Sequence, residues 1–271
     1  MSDRKRSADD RAAQAIAQRS AVFVRLFGWL FERTFKSSFH AAHIAHPRPP
    51  SAAPSQRIVI YSNHPSWWDG VTYLLIARYL YPRHRVFTPI DAGMLDRYGF
   101  AARIGAFGVR QNSRMGAADF IAGSKAVLGL GDGLLIIAAQ GRFADPRERP
   151  LSCAAGIAHL PDHIPDVTFI PLAIEYPLWF EKQPELLLQF GDGIDGNELA
   201  ALSVTKRREK LEAALGRAMD RLAALSIARD AKAFDTWIEG TMGVNPLYDA
   251  WRRLRAMVRG IRFNAEHGAR E

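Results

Sequence analysis

The feature that most limits what this chain can become is a series of short aliphatic and β-branched runs set between segments with helical spacing. In order they are RIVIY (57–61), RVFTPID (85–91), AFGVR (106–110), GLLIIAAQ (133–140), VTFIPLAIEY (167–176) and ELLLQFGD (185–192). Runs this short and this apolar suit strands buried on both faces. Between them, SWWDGVTYLLIARYL, MLDRYGFAARIG, MGAADFIAGSKAVLGLG and AGIAHLPDHI have helical patterning, and the third ends in glycines, a helix stop signal. Strands alternating with helices predict an α/β domain with a central, mostly parallel sheet flanked by helices.

Composition shifts mark the ends of that pattern. HPRPPSAAPSQ, residues 46–56, is rich in proline and serine and reads as a connection. From residue 197 the chain becomes charged and helical through residue 230. The expected organisation is therefore a helical N-terminal region over 1–50, an α/β core over 51–195 and a C-terminal helical region over 196–271. AVFVRLFGWLFERTF, residues 21–35, is too short and too charged to span a bilayer. It reads as an amphipathic helix with Val22, Phe23, Leu26, Leu30 and Phe31 near one face and Phe27 and Trp29 beside it. Such a helix either packs on its own domain or lies in the membrane interface. The segment 245–263, with Trp251 among arginines, invites the same two readings. No signal peptide is visible at the start.

The formal net charge is +8. A basic chain suits an anionic partner, and the absence of aromatic-interleaved basic tracts or zinc-finger spacing favours lipid or phosphate over nucleic acid. One cysteine, Cys153, excludes an internal disulfide. His159 and His163 have no third ligand spaced with them, so no metal is expected.

The chemistry gathers in NHPSWWD, residues 63–69. His64 follows a strand, and Pro65 favours extended backbone for it. Ser66 suits a helix cap, which puts Asp69 in the first helical turn. From there Asp69 can reach back to one imidazole nitrogen and leave the other for a substrate hydroxyl, as a general base requires. Backbone N–H groups at the helix start offer an oxyanion site. No G-x-S-x-G elbow is present, so no acyl-enzyme is indicated. By spacing alone the pair also fits a capped structural turn.

NHPSWWD resembles the first block of the glycerol-phosphate and lysophospholipid acyltransferase family, N-H-x-x-x-x-D after a strand. GAFGVR (105–110) resembles its second, G-x-F-x-x-R. AAQGRF (138–143) stands where the third, usually E-G-T-R, belongs, and FIPLAIEY (169–176) resembles the fourth. The resemblance implies a glycerol-3-phosphate acyltransferase-like fold with helical N- and C-terminal extensions. It implies an O-acyltransferase in which His64 is the base and Asp69 its partner. Acyl-CoA or acyl-carrier protein would be co-substrate, a lysophospholipid or related lipid alcohol the acceptor, with no other cofactor. Asn63, Gly105, Phe107, Arg110, Gln140, Gly141, Arg142 and Pro171 would form the substrate site. Arg110 would hold an anionic head group, Gly105 and Phe107 would shape that pocket, and Pro171 would help wall it. Gln140 departs from the family's glutamate and points to a glutamine-bearing subgroup. The family's chemistry implies work at an anionic, cytoplasmic membrane face. A non-catalytic lipid-binding scaffold and a thioester hydrolase are the competing readings. Asp69, where the lipid A acyltransferases have glutamate, argues against that branch.

Overall fold

The structure, a computed structural model, describes residues 7–49, 52–53, 55–111 and 113–241. Its sheet is organised around β2 (Ile58–Ser62), all five residues of which are buried. Val59 and Tyr61 enter one apolar cluster, Ile58 and Ile60 the other, as the period of two along a strand requires. β2 pairs in parallel with β5 (Gly133–Ala138) on one side and β6 (Thr168–Glu175) on the other. Beyond β5 the parallel sheet continues through β3 (Arg85–Asp91) and β4 (Ala106–Val109). Beyond β6, β7 (Glu185–Phe190) runs antiparallel. β1 (Ala41–Ala45) then pairs in parallel with β7, and β9 (Phe234–Glu239) closes that edge antiparallel to β1. A short β8 (Ile194–Asp195) pairs with β6.

Helices cover both faces. On one side α6 (Arg114–Leu128), α7 (Gly156–His163) and α8 (Val204–Ala228) contribute Phe120, Val127, Ile157, Leu160, Leu211 and Leu215 to the first cluster. On the other, α2 (Ala21–Ser38) and α3 (Asp69–Tyr79) bring Phe35, Val71, Leu75 and Ile76 to the second. α1 (Ala8–Gln18) packs on α6. The expected α/β architecture, mostly parallel and flanked by helices, is the one observed.

The expected boundaries at 50 and 195 do not separate units. The N-terminal region supplies β1, an inner strand of the sheet, and the C-terminal region supplies β9. β1 is AAHIA, in which alanine, a weak strand former, hides the signal. In β9 the pairing register shifts opposite Ala42/His43, so no clean alternation appears in FDTWIE. MLDRYGFAARIG, expected as one helix, divides at Tyr98–Gly99 into α4 (Ala92–Arg97) and α5 (Phe100–Arg103). α2 buries Gly28 and Phe35, not the face of Val22, Leu26 and Leu30, which together with Trp29 is exposed. The amphipathic segment expected over 245–263 lies outside the described residues.

Three strands meet at Glu185. Its carboxylate takes His40 Nδ1 at 2.8 Å and His43 Nε2 at 3.2 Å, and His43 Nδ1 meets Thr236 Oγ1 at 2.9 Å. Burial pushes the Glu185 carboxyl up, but hydrogen bonds from the two histidines outweigh it and hold the group below its ordinary 4.5. A lowered folded-state value means stabilisation that is present above 4.5 and lost as pH falls through the folded value. Glu185→Ala should cost about 1–3 kcal/mol at neutral pH, the cost of leaving buried polar groups unmatched. Urea unfolding at neutral and at acid pH checks this, with the two proteins' stabilities converging in acid.

Candidate active site

The carboxyl ends of β5, β2 and β6 lie side by side, and the loops that leave them build the site. This edge is where open parallel sheets hold their ligands. β2 ends at Ser62, whose hydroxyl donates to the Asn63 carbonyl at 2.8 Å and meets Tyr73 Oη at 2.6 Å. Asn63 is 1% exposed. Its Nδ2 donates to the Ile174 carbonyl at 2.9 Å and its Oδ1 accepts from Ile174 N–H at 2.8 Å. Both amide ends are thus spent on β6, and Asn63 fixes the turn.

His64 and Asp69 meet as the turn requires. His64 Nδ1 lies 2.5 Å from Asp69 Oδ2. Asp69 is completely buried. Its Oδ2 also accepts from Ser66 N–H at 3.3 Å, and its Oδ1 accepts from Tyr176 Oη at 2.7 Å. Thr72 Oγ1 lies 2.9 Å from that phenol oxygen. Burial first, then the Asp69 charge, push the Tyr176 hydroxyl well above its ordinary range, so it remains a donor. A carboxylate only accepts, so Nδ1 carries a proton and, in the neutral ring, the lone pair is on Nε2. Among the described residues Nε2 has no hydrogen-bond partner, and the side chain is 22% exposed. Ser66 does not cap α3 directly. It closes the preceding turn, its Oγ accepting from Trp68 N–H at 3.2 Å and its carbonyl from Asp69 N–H at 3.1 Å. The backbone N–H groups of residues 66, 68 and 69 are therefore engaged inside the turn.

The third block comes alongside through β5. Gln140 Oε1 accepts from His64 N–H at 3.1 Å, and Ala144 N–H donates to the His64 carbonyl at 3.0 Å. Gln140, buried, is thus a backbone clamp. Gly141 takes φ +66° at the bend between them, a conformation glycine adopts without strain. Arg142 is exposed and paired with Glu148. Phe143 stacks on the His64 ring with centroids 4.2 Å apart.

The second block divides between fold and surface. Phe107 is 3% exposed, in the main core, its ring against Gly123 of α6. Gly105 has φ +109°, and a Cβ there would lie 2.6 Å from the Val86 carbonyl oxygen. Both seat β4 against its neighbours. Arg110 is bound to Asp119 of α6 through Nε at 2.6 Å and Nη2 at 2.8 Å. Arg11 of α1 reaches the same carboxylate at 2.5 Å. Burial pushes the Asp119 carboxyl up, and the two guanidiniums outweigh that and hold it below its ordinary range. Gln111 Nε2 lies 3.4 Å from the Gly141 carbonyl, which brings this loop beside the third block. Pro171, expected to help wall the substrate site, is buried opposite Tyr61 with its ring against Gly191.

Sequence reasoning missed Tyr176, Asp119 and Phe143. Tyr176 closes the fourth block and Phe143 the third, so position pointed to both; nothing in the pattern of α6 singled out Asp119. Burial pushes Cys153 up to about 12, which leaves it inert as a nucleophile. His159 and His163 form no metal cluster; none occurs among the described residues. Trp179 donates to the Ser226 carbonyl at 3.1 Å and packs on Phe234, whereas Phe180 is exposed. A shallow depression lined by Gln56, Arg57, Gly131, Asp166 and Thr168 lies at the amino ends of the strands, on the opposite edge from His64.

The mostly parallel sheet flanked by helices matches the fold of a solved acyltransferase. Among solved structures the chain is similar to the crystal structure of the 1-acyl-sn-glycerophosphate (LPA) acyltransferase, PlsC, from Thermotoga maritima. The TM-score is 0.51 at 13% identity, over 74% of this chain and 80% of that one. At that identity the likeness is one of fold. No family model matches the sequence, and no curated protein matches it.

Tyr176→Phe should remove one donor from a buried carboxylate while keeping the ring. A hydrogen bond to a charged group contributes about 1.5–3 kcal/mol, so any turnover that depends on His64 should fall roughly ten-fold or more. Steady-state rates of the variant, with circular dichroism to confirm the fold, check this.

Proposed function

We propose that the chain is an O-acyltransferase that moves a fatty acyl group from acyl-CoA or acyl-carrier protein to the hydroxyl of a lysophospholipid or related lipid alcohol. The observation that carries this reading is His64 bound through Nδ1 to a buried Asp69, with Nε2 open at the carboxyl edge of β2. The acceptor hydroxyl donates to Nε2. As its oxygen attacks the thioester carbonyl, the proton passes to Nε2 and Asp69 stabilises the imidazolium. The tetrahedral intermediate expels the thiolate, which takes the proton back from Nε2. The free imidazole is restored and the acyl ester leaves with the acceptor. No acyl-enzyme is needed, which agrees with the inert Cys153 and with Ser66 held in its turn.

Arg110 is the head-group residue in this reading. It would have to exchange one or both contacts with Asp119 for the acceptor, while Arg11 keeps that carboxylate matched. His64→Ala should lower acyl transfer by about 10²–10⁴-fold, the usual contribution of a general base, without unfolding the protein. The assay supplies labelled acyl-CoA or acyl-carrier protein and a total lipid extract. Labelled lipid made by wild type alone supports the transferase. Free fatty acid made by wild type alone indicates a hydrolase, and no difference between the proteins indicates a scaffold.

The site's acceptor would come from a membrane, and α2 is suited to meet one at its cytoplasmic face. Val22, Leu26, Trp29 and Leu30 stand 39–70% exposed beside exposed Arg25 and Arg33. A contiguous apolar stripe with flanking cations favours an anionic interface. No helix among the described residues is long and apolar enough to cross a membrane. Leu26→Glu combined with Trp29→Glu should weaken flotation with anionic vesicles at least about ten-fold, given a loss of several exposed apolar contacts. Thermal unfolding should be unchanged, because neither side chain is in the core.

A further inference from the structure

Phe143 has little reason from folding alone to stand where it does. It is 60% exposed, a large apolar side chain in a loop otherwise built of polar and small residues. The His64 imidazole lies under it, with centroids 4.2 Å apart and planes inclined by 28°. The loop is also anchored to the same histidine on both sides of the phenyl. Gln140 Oε1 takes the His64 N–H, and Ala144 N–H donates to the His64 carbonyl. Backbone and ring of one residue are therefore held by one five-residue segment, 140–144. Asp69 fixes the imidazole at Nδ1, the phenyl covers one face, and the Nε2 edge is left open.

The stack matters most when the imidazole is charged. Between neutral rings it adds a modest contribution beyond contact area. Over a cation, the negative face of the phenyl is attractive at centroid distances below about 6 Å. We propose that Phe143 is a positioning residue of the base: it holds the plane of the His64 ring and stabilises the imidazolium that forms as the acceptor loses its proton. This rests on the acyltransferase reading of the same site. Phe143 makes no bond to substrate in this role, and the proton's path is unchanged: acceptor hydroxyl to Nε2, Nε2 to the departing thiolate.

The test compares the full chain with Phe143→Ala, Phe143→Leu and Phe143→Tyr. Exposure of the residue makes all three compatible with folding. With acyl-CoA and a total lipid extract, kcat should fall about ten-fold in the alanine and leucine proteins, the scale of a lost cation–π contact. The tyrosine protein should stay within about two-fold, and the apparent KM for acyl-CoA should move by less than that. Independently of turnover, carbon-13-labelled histidine spectra should show the His64 ring protons shifted upfield by the phenyl in wild type and the tyrosine variant, and released in the leucine variant. His64→Ala assigns the resonance. Leucine supporting the wild-type kcat, tyrosine behaving like alanine, a raised KM at constant kcat, or an unmoved His64 resonance would each overturn the proposal. Wild type that leaves every lipid unlabelled would instead bring down the transferase reading, and the catalytic role of Phe143 with it.

Discussion

A carboxylate with no exposed surface sits at the first residue of α3, and the arrangement of the site follows from keeping it matched. Removing an ionised carboxylate from water costs several kcal/mol unless partners replace the lost hydration. Asp69 finds them in three places: the imidazole of His64, the N–H of Ser66 and the phenol of Tyr176. Those partners belong to the turn after β2 and to the end of β6. Satisfying one buried charge therefore fixes the turn, the helix start and a neighbouring strand together. The same satisfaction orients the imidazole of His64 and sets its tautomer, so a folding requirement and the orientation of that ring have one cause.

The rest of the site repeats this economy with backbone groups. Asn63 replaces the sheet bonds that β2 can no longer make, pairing both ends of its amide with Ile174. Gln140 does the like for His64 N–H from the other neighbouring strand. An uncharged amide suits that buried position. A glutamate there would keep the accepting oxygen but bury a charge, which costs free energy unless it is paired. The guanidiniums follow the opposite rule. Arg110 and Arg11 converge on Asp119 from a loop and from the N-terminal helix, so the basic character of the chain reaches the site already paired.

The α/β class and the central strands were legible because strands buried on both faces leave continuous apolar runs, and β2, β5, β6 and β7 all have them. β1 and β9 were not. AAHIA acquires its place from the gap between β7 and β9, and small side chains carry no periodicity to announce it. His64 and Asp69 were legible because proline and a following helix restrict the turn between them locally. Phe107 and Pro171 were named for the substrate site from block position, which fixes where a residue falls in the chain but not which way its side chain points. Phe107 turns to Gly123 and Pro171 to Gly191.

By itself the sequence determined the layered architecture and the local turn that brings a histidine and an aspartate within reach, because hydrophobic period and backbone restriction act over a few residues. Only the tertiary structure decided which groups surround that pair. Tyr176 is 107 positions from Asp69, Gln140 is 76 from His64 and Arg11 is 108 from Asp119. Contacts at such separations are set by strand order and by the burial each charge must have answered, and neither is written in any short stretch of residues.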